Sequence, residues 1–416
     1  ERGARITTHE PTTATRGGGY VLLAGHSVEN AGQIETRKGQ TQLAAGDSFV
    51  IRRGVGTAQN TASTTRGNEI APRFVADSTA GSVRNSGLIQ AREGDVTLAG
   101  RTVEQAGVAV ATTTLNQRGT VHLLNSASDA AGSVTLAAGS TTAVLLEDDG
   151  KSTALDSQRN ALIKESAEQD KLRGSSNSGT FDNLSRLQDR REQSRIEVVS
   201  GGDVNFQAGS LVVATGGQVI ADASRRSYLD DGARVDVSGA VGVQVAMESN
   251  NVKVKVQGNE LRDSPDNRDS GKLISSEVWI DRRQLTEVAA RTGGYEGTRW
   301  YAGGGLLEVG GYLDNQGHSI SEWAAQGGTV QLAGKEVVSH AGSRINLAGG
   351  SLDVQSGVVQ QSWLRGRDGQ LYRLDDAPAE MLYDGLYQGY EVKQERWGVT
   401  ESFRNPLVAP AQRYDN

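Results

Sequence analysis

Carboxylate pairs are the first residues in this chain that could do chemistry. Asp148-Asp149 and Asp230-Asp231 each stand beside a glycine, Gly150 and Gly232. Two carboxyl groups roughly 5 to 9.5 Å apart can divide the acid, base and nucleophile roles of glycoside cleavage. Neither pair has a second partner pattern near it, so both read as solvated turns. Asp263, Asp266 and Asp269 recur every third residue around Pro265 in a polar loop and could offer oxygen ligands to Ca²⁺. The glycine and closing glutamate of a calcium loop are missing, which favours a bare loop. His9, His26, His122, His318 and His340 are scattered without ligand spacing, and His318 stands alone beside Gly317, so zinc is not expected. Gly17-Gly18-Gly19 and Gly303-Gly304-Gly305 lack the strand, Gly-Lys-Ser/Thr and helix of a phosphate loop and read as turns. These residues lead us to expect no catalytic group, no metal and no cofactor.

Aromatic side chains carry the stronger recognition signal. All five Trp and eight of the ten Tyr lie after residue 270, in about the last third of the chain. Flat rings suit the C–H faces of sugars and also anchor protein interfaces. Trp279, Trp300, Tyr301, Trp323 and Trp363 are therefore the expected carbohydrate or partner contacts, with Tyr383, Tyr387 and Tyr390 nearby in sequence. The competing role for these rings is to seal loops that fold back on themselves.

What positions such residues follows from composition. The chain has 53 Gly but only 6 Pro among 416 residues, which excludes collagen and proline-rich linkers and calls for many tight turns. Aromatics are 5% of the chain, so a thin, regular core is favoured over a thick one. The net charge of −7, with no basic block, argues against a nucleic-acid partner. The absence of Cys removes disulfides, thiolate metal sites and cysteine nucleophiles, and suits a chain that crosses an oxidising compartment unfolded. No apolar run of about 18 residues exists, so no membrane span is expected. Glu1-Arg2-Gly3-Ala4-Arg5 lacks the apolar stretch of a signal peptide, as expected of a mature or excised chain.

An internal repeat organises the sequence. Ser27-Val28-Glu29-Asn30-Ala31-Gly32-Gln33-Ile34 aligns with Ser82-Val83-Arg84-Asn85-Ser86-Gly87-Leu88-Ile89, and both copies run on into a glycine-bounded strand, 40–45 and 95–99. A theme G-x-V-x-L-A-G, then V, then A-G recurs at 19–32, 94–107 and 328–342. The period is about 20 residues, each unit holding two or three strands too short to bury a face alone. Stacking equivalent strands at ~4.8 Å gives parallel sheets around a single file of Val, Leu, Ile and Ala. Glycine is expected at corners of positive φ, and Asn30 and Asn85 at one turn position where amides pair between coils. An antiparallel sandwich is the competing architecture. The expected organisation is coils at 1–150, a charged and partly helical insertion at 151–195, coils at 196–257, an aromatic loop insertion at 258–326, coils at 327–359 and an aromatic-rich segment at 360–416. That amounts to ~12 to 15 turns, a rod of ~60 to 70 Å.

The coil motif A-G-x-x-V-x-x-A-G, with Arg118-Gly119-Thr120-Val121-His122-Leu123-Leu124-Asn125, Gly293-Gly294-Tyr295, Arg299-Trp300-Tyr301, Gly304-Gly305-Leu306-Leu307-Glu308-Val309-Gly310-Gly311-Tyr312 and Trp363-Leu364-Arg365-Gly366, resembles the large filamentous haemagglutinin-like exoproteins of Gram-negative bacteria. The resemblance runs over nearly the whole chain. It implies an all-β fold, a right-handed parallel β-helix (solenoid) with extra-helical loops. It also implies two-partner secretion of the parent protein through an outer-membrane pore, a place on the cell surface, and an adhesin or biofilm-matrix role towards exopolysaccharide, host or neighbouring-cell surfaces. This chain would be an internal rod segment. The stalk of a contact-dependent toxin-delivery exoprotein is an alternative within that resemblance. A polysaccharide-degrading β-helix enzyme is another, expected to gather carboxylates around Asp230 and Asp231.

Overall fold

Short alternating segments bounded by glycine bury their apolar faces by stacking on equivalents in neighbouring coils. The computed structural model describes residues 1–10, 18–53, 68–114, 118–147, 194–314, 316 and 318–415, and it divides into two units. The first, Glu1–Val243 with Gly317–Leu352, is a parallel β-helix. One sheet of eight strands runs from Arg5–Thr7 to Arg344–Asn346, a second of seven from Tyr20–Gly25 to Thr329–Ala333, and a third of seven from Ser27–Asn30 to Glu336–Ser339. Neighbours within all three sheets are parallel, as in Ser27↔Ser82, Thr41↔Val96 and Ile34↔Ile89, which disposes of the antiparallel sandwich. Seven strand spacings make the longest sheet about 34 Å high. Among the described residues the coil is thus shorter than the roughly 12 to 15 turns expected from the repeat, because segments that resemble coil strands belong elsewhere.

The core is a set of vertical files. Leu43, Leu98, Leu123 and Val198 stack in register in one sheet, and Val83, Val103, Val134 and Val204 in another, all fully buried or nearly so. One inward file begins polar. Asn30 Nδ2 donates to Asn85 Oδ1 at 2.8 Å, Asn85 Nδ2 to Gln105 Oε1 at 2.8 Å, and Gln105 Nε2 to the Thr141 carbonyl at 3.1 Å. Higher in the stack that file becomes Leu136, Phe206 and Leu229. The amide ladder satisfies buried groups coil by coil, as the Asn30/Asn85 alignment predicts.

Glycine does two distinct jobs here. At Gly139, Gly209 and Gly232 φ is +71°, +71° and +76°, the left-handed corner expected from the sequence. The repeat glycines differ: a Cβ on Gly94 would lie 2.2 Å from the Gly39 carbonyl oxygen, and one on Gly39 2.0 Å from that of Gly19. Backbone approach between coils, not positive φ, requires glycine at these positions.

The antiparallel pair Ser48–Arg53 and Asn68–Arg73 is a hairpin within the stretch read as coil. Of the charged insertion at 151–195, residues 151–193, with their helix-like patches, lie outside the described residues, and Arg195 opens the strand Arg195–Ser200.

The second unit, Gln244–Gln316 with Asp353–Asn416, is built from antiparallel pairs: Asn251–Lys255 with Glu277–Asp281, Thr286–Val288 with Arg299–Ala302, and Gly357–Gln360 with Ala411–Tyr414. Val254, Leu261, Ile280, Leu306, Leu364 and Tyr383 form its core. Residues 244–257 and 353–359 therefore belong to this unit rather than to the coils, while 318–326 belong to the first. An alternating hairpin strand such as Val252-Lys253-Val254-Lys255 has the same period as a coil strand. Among the described residues no helix is long and apolar enough to cross a membrane.

Candidate functional site

Strand alternation decides which side chains of the second unit can act together. In the pair Thr286–Val288 and Arg299–Ala302, Thr286 faces Tyr301 and Val288 faces Arg299 across the ladder, whereas Glu287 and Trp300 point to the other side. Trp300 packs half-buried on the unit's core. Tyr301 looks instead into a cleft of about 460 Å³ that it lines with Asp263, Thr286, Val288, Gly304, Gly305 and Ala379.

A polar network anchors this cleft. Tyr301, only 5% exposed, donates its hydroxyl to Asp263 Oδ2 at 2.6 Å and accepts from Arg299 Nη1 at 2.6 Å. Arg299 Nη2 donates to the Thr292 carbonyl at 2.9 Å, and its guanidinium lies 3.9 Å from the centre of the Tyr295 ring. Burial, with the Asp263 carboxylate accepting its proton, pushes the Tyr301 hydroxyl up to about 12. It is a donor, not a base, at neutral pH.

The turn bearing Gly303 lies against Leu374 and Ala377, beside Asp375. Burial raises the Asp375 carboxyl from 3.8 to about 6, against the Asp281 amide and the Arg373 charge, which both favour the carboxylate. The folded state then holds this proton more tightly than the unfolded chain. Stability from this group is greatest below about pH 3.8 and falls as pH rises through about 6. Asp375→Asn keeps an acceptor for the Asp281 amide and is expected to stabilise the second unit by up to roughly 3 kcal/mol at pH 7.5. The gain should vanish near pH 3.5, and thermal melts at the two pH values measure the difference.

The sequence-derived contact residues stand in different settings, although the Trp279 amide donates to Ser362 Oγ, next to Trp363, at 2.8 Å. Trp279, half-buried, stands beside the Lys253 ammonium at 5.8 Å from its ring centre. Trp363 ties its indole Nε1 to the Ala409 carbonyl at 2.8 Å. Trp323 lies in the first unit, edge-on to His318 at 5.3 Å. Tyr383 is fully buried, Tyr387 accepts from the Asn405 amide at 3.0 Å, and Tyr390 stacks on Phe403 at 5.1 Å. Trp397, which the sequence did not single out, is the most exposed indole at 73%.

The carboxylate candidates separate likewise. Asp230 accepts from the Asp231 amide at 2.8 Å, a self-closed turn. Asp148 and Asp149 lie outside the described residues. Asp266 and Asp269 sit on the short helix Pro265–Ser270, not in a loop, while Asp263 belongs to the cleft. Among the described residues no group of three His, Asp or Glu could hold a metal ion.

Sequence reasoning missed a second cluster, on the outer face of one coil sheet. Gln40, Asp95, Thr120 and Arg195 occupy one register line and Gln42, Thr97, His122 and Glu197 the next. Asp95 and His122 are almost wholly buried. Thr120 donates to Asp95, His122 Nε2 lies 3.1 Å from Thr120 Oγ1, and His122 Nδ1 lies 2.9 Å from Glu197. Arg195 Nε donates to Glu197 at 2.7 Å. Burial would raise the Glu197 carboxyl, but hydrogen bonds and charge from His122 and Arg195 outweigh it and hold it at about 2. A carboxylate ionised down to that pH cannot act as general acid near neutrality. The signal lay in the position after each corner residue: Gly39-Gln40, Gly94-Asp95, Gly119-Thr120 and Ser194-Arg195.

Comparison of the chain with protein-family models, with curated proteins and with solved structures finds no match.

Proposed function

We propose that this chain is a non-catalytic rod segment of a large secreted surface adhesin or biofilm-matrix filament, exported by two-partner secretion in its parent protein and holding recognition surfaces away from a Gram-negative cell. The observation that carries the reading is the division of labour within the chain. A β-helix with a thin aliphatic core is interrupted by an aromatic-rich second unit bearing Trp279, Trp300, Trp363 and Trp397. A stack of coils grows along one axis and makes a spacer, and a unit inserted through it can carry contacts without disturbing the stack. The buried Asp95–Thr120–His122–Glu197 line is what an enzyme reading would invoke. Asp95 and His122 are almost wholly buried, so a polymer has little access to them.

Adhesion tests the proposal. Latex beads coated with the full chain are expected to attach to exopolysaccharide-bearing or epithelial cells several-fold more than beads coated with albumin. Equal attachment of the two would remove the adhesive reading.

A further inference from the structure

We infer that the second-unit cleft binds a single neutral hexopyranose residue. The inference deepens the adhesive reading by naming a ligand class, and it rests on that reading for its biological sense. Charge balance narrows the choice. Asp263 is compensated by Arg299 at 3.7 Å, so the cleft carries little net charge and favours neither a cationic nor an anionic guest. What remains is a polar but neutral guest.

The polar atoms suit hydroxyl groups. Asp263 uses Oδ2 for Tyr301 and Arg299, and its Oδ1 accepts no hydrogen bond among the described residues. The Thr286 hydroxyl, exposed on the neighbouring strand, likewise has no partner among them. A carboxylate oxygen and a hydroxyl lining one cleft can take adjacent O–H groups of a pyranose, while Val288 and Ala379 offer apolar surface to its C–H face. Arg299 Nε is buried without a hydrogen-bond partner, and Arg299 is held by Thr292, Tyr295 and Tyr301, so the acceptor is presented on a fixed support.

Shape points the same way. About 460 Å³ falls within the range of small-ligand sites and is ample for one sugar ring. Gly304 and Gly305 line it without side chains, and a Cβ on Gly305 would stand 3.7 Å from that of Ala379. At Gly305 φ is +100°, a conformation that disfavours any replacement there.

Saturation-transfer NMR on the full chain with methyl glycosides of glucose, galactose and mannose tests the inference. At least one glycoside should receive saturation, and Asp263→Asn should weaken it at least tenfold. Ala379→Leu, which fills the cleft and leaves the polar network alone, should do the same, with circular dichroism confirming that both variants fold. Thr286→Val should weaken it several-fold. Saturation unchanged in all three variants would place the sugar elsewhere and overturn the inference. Absence of saturation for every glycoside, with coated beads still adhering, would overturn the cleft assignment and leave the adhesive reading standing. Glycoside binding by a chain whose beads do not adhere would support the cleft and remove the adhesive role.

Discussion

Gly94→Ala is expected to destabilise the β-helix by roughly 3 kcal/mol, more than the same change at a glycine whose added Cβ meets open space, such as Gly139. The added Cβ would sit 2.2 Å from the Gly39 carbonyl oxygen, the atom that accepts the Asp95 amide at 3.0 Å. Neither group can rotate away, because both are backbone within adjacent coils. Overpacking of this kind costs about 1 to 3 kcal/mol, and weakening the coil-to-coil hydrogen bond adds about 1. Gly139→Ala is the control. Its φ is +71° and nothing lies within 4 Å of the new Cβ, so only left-handed strain of about 1 to 2 kcal/mol applies. Urea midpoints for the two variants measure the contrast. Equal losses would mean that corner conformation, not coil spacing, governs the repeat glycines.

Glu197→Gln is expected to cost about 3 kcal/mol at pH 7 and almost nothing near pH 2. The folded-state value of about 2 lies below the ordinary 4.5, so the stabilisation is fully present above pH 4.5 and is lost as pH falls through about 2. The wild type should therefore lose stability steeply across that window. The variant should follow a flatter curve that meets it at the acid end. Denaturation midpoints at pH 7, 4 and 2.5 test this, and a constant offset between the curves would show that packing rather than charge holds His122 and Arg195 around this position.

The coil was legible because its register is written twice in the sequence. The alignment of Ser27, Val28 and Asn30 with Ser82, Val83 and Asn85 is the pairing that the strands adopt, and the amide ladder follows from it. Three things were hidden, each for a physical reason. The second unit's hairpins share the two-residue period of coil strands, so Val252 and Val254 looked like coil interior. Trp300 and Tyr301 are adjacent in sequence but face opposite sides of their strand, so they could not form one platform. Outward polar residues such as Asp95 and His122 carried no site signal, because period alone does not reveal which outer faces are covered.

If the chain holds glycans without cutting them, polymer should bind to it with no new chain ends formed. Incubating the full chain with exopolysaccharide, and following bound polymer together with newly formed reducing ends, tests it most directly. Bound polymer is expected to rise to a plateau while reducing ends stay at the level of the polymer alone. A steady release of reducing ends, abolished by Glu197→Gln, would contradict it and transfer the chain's function from the cleft to the polar line on the coil.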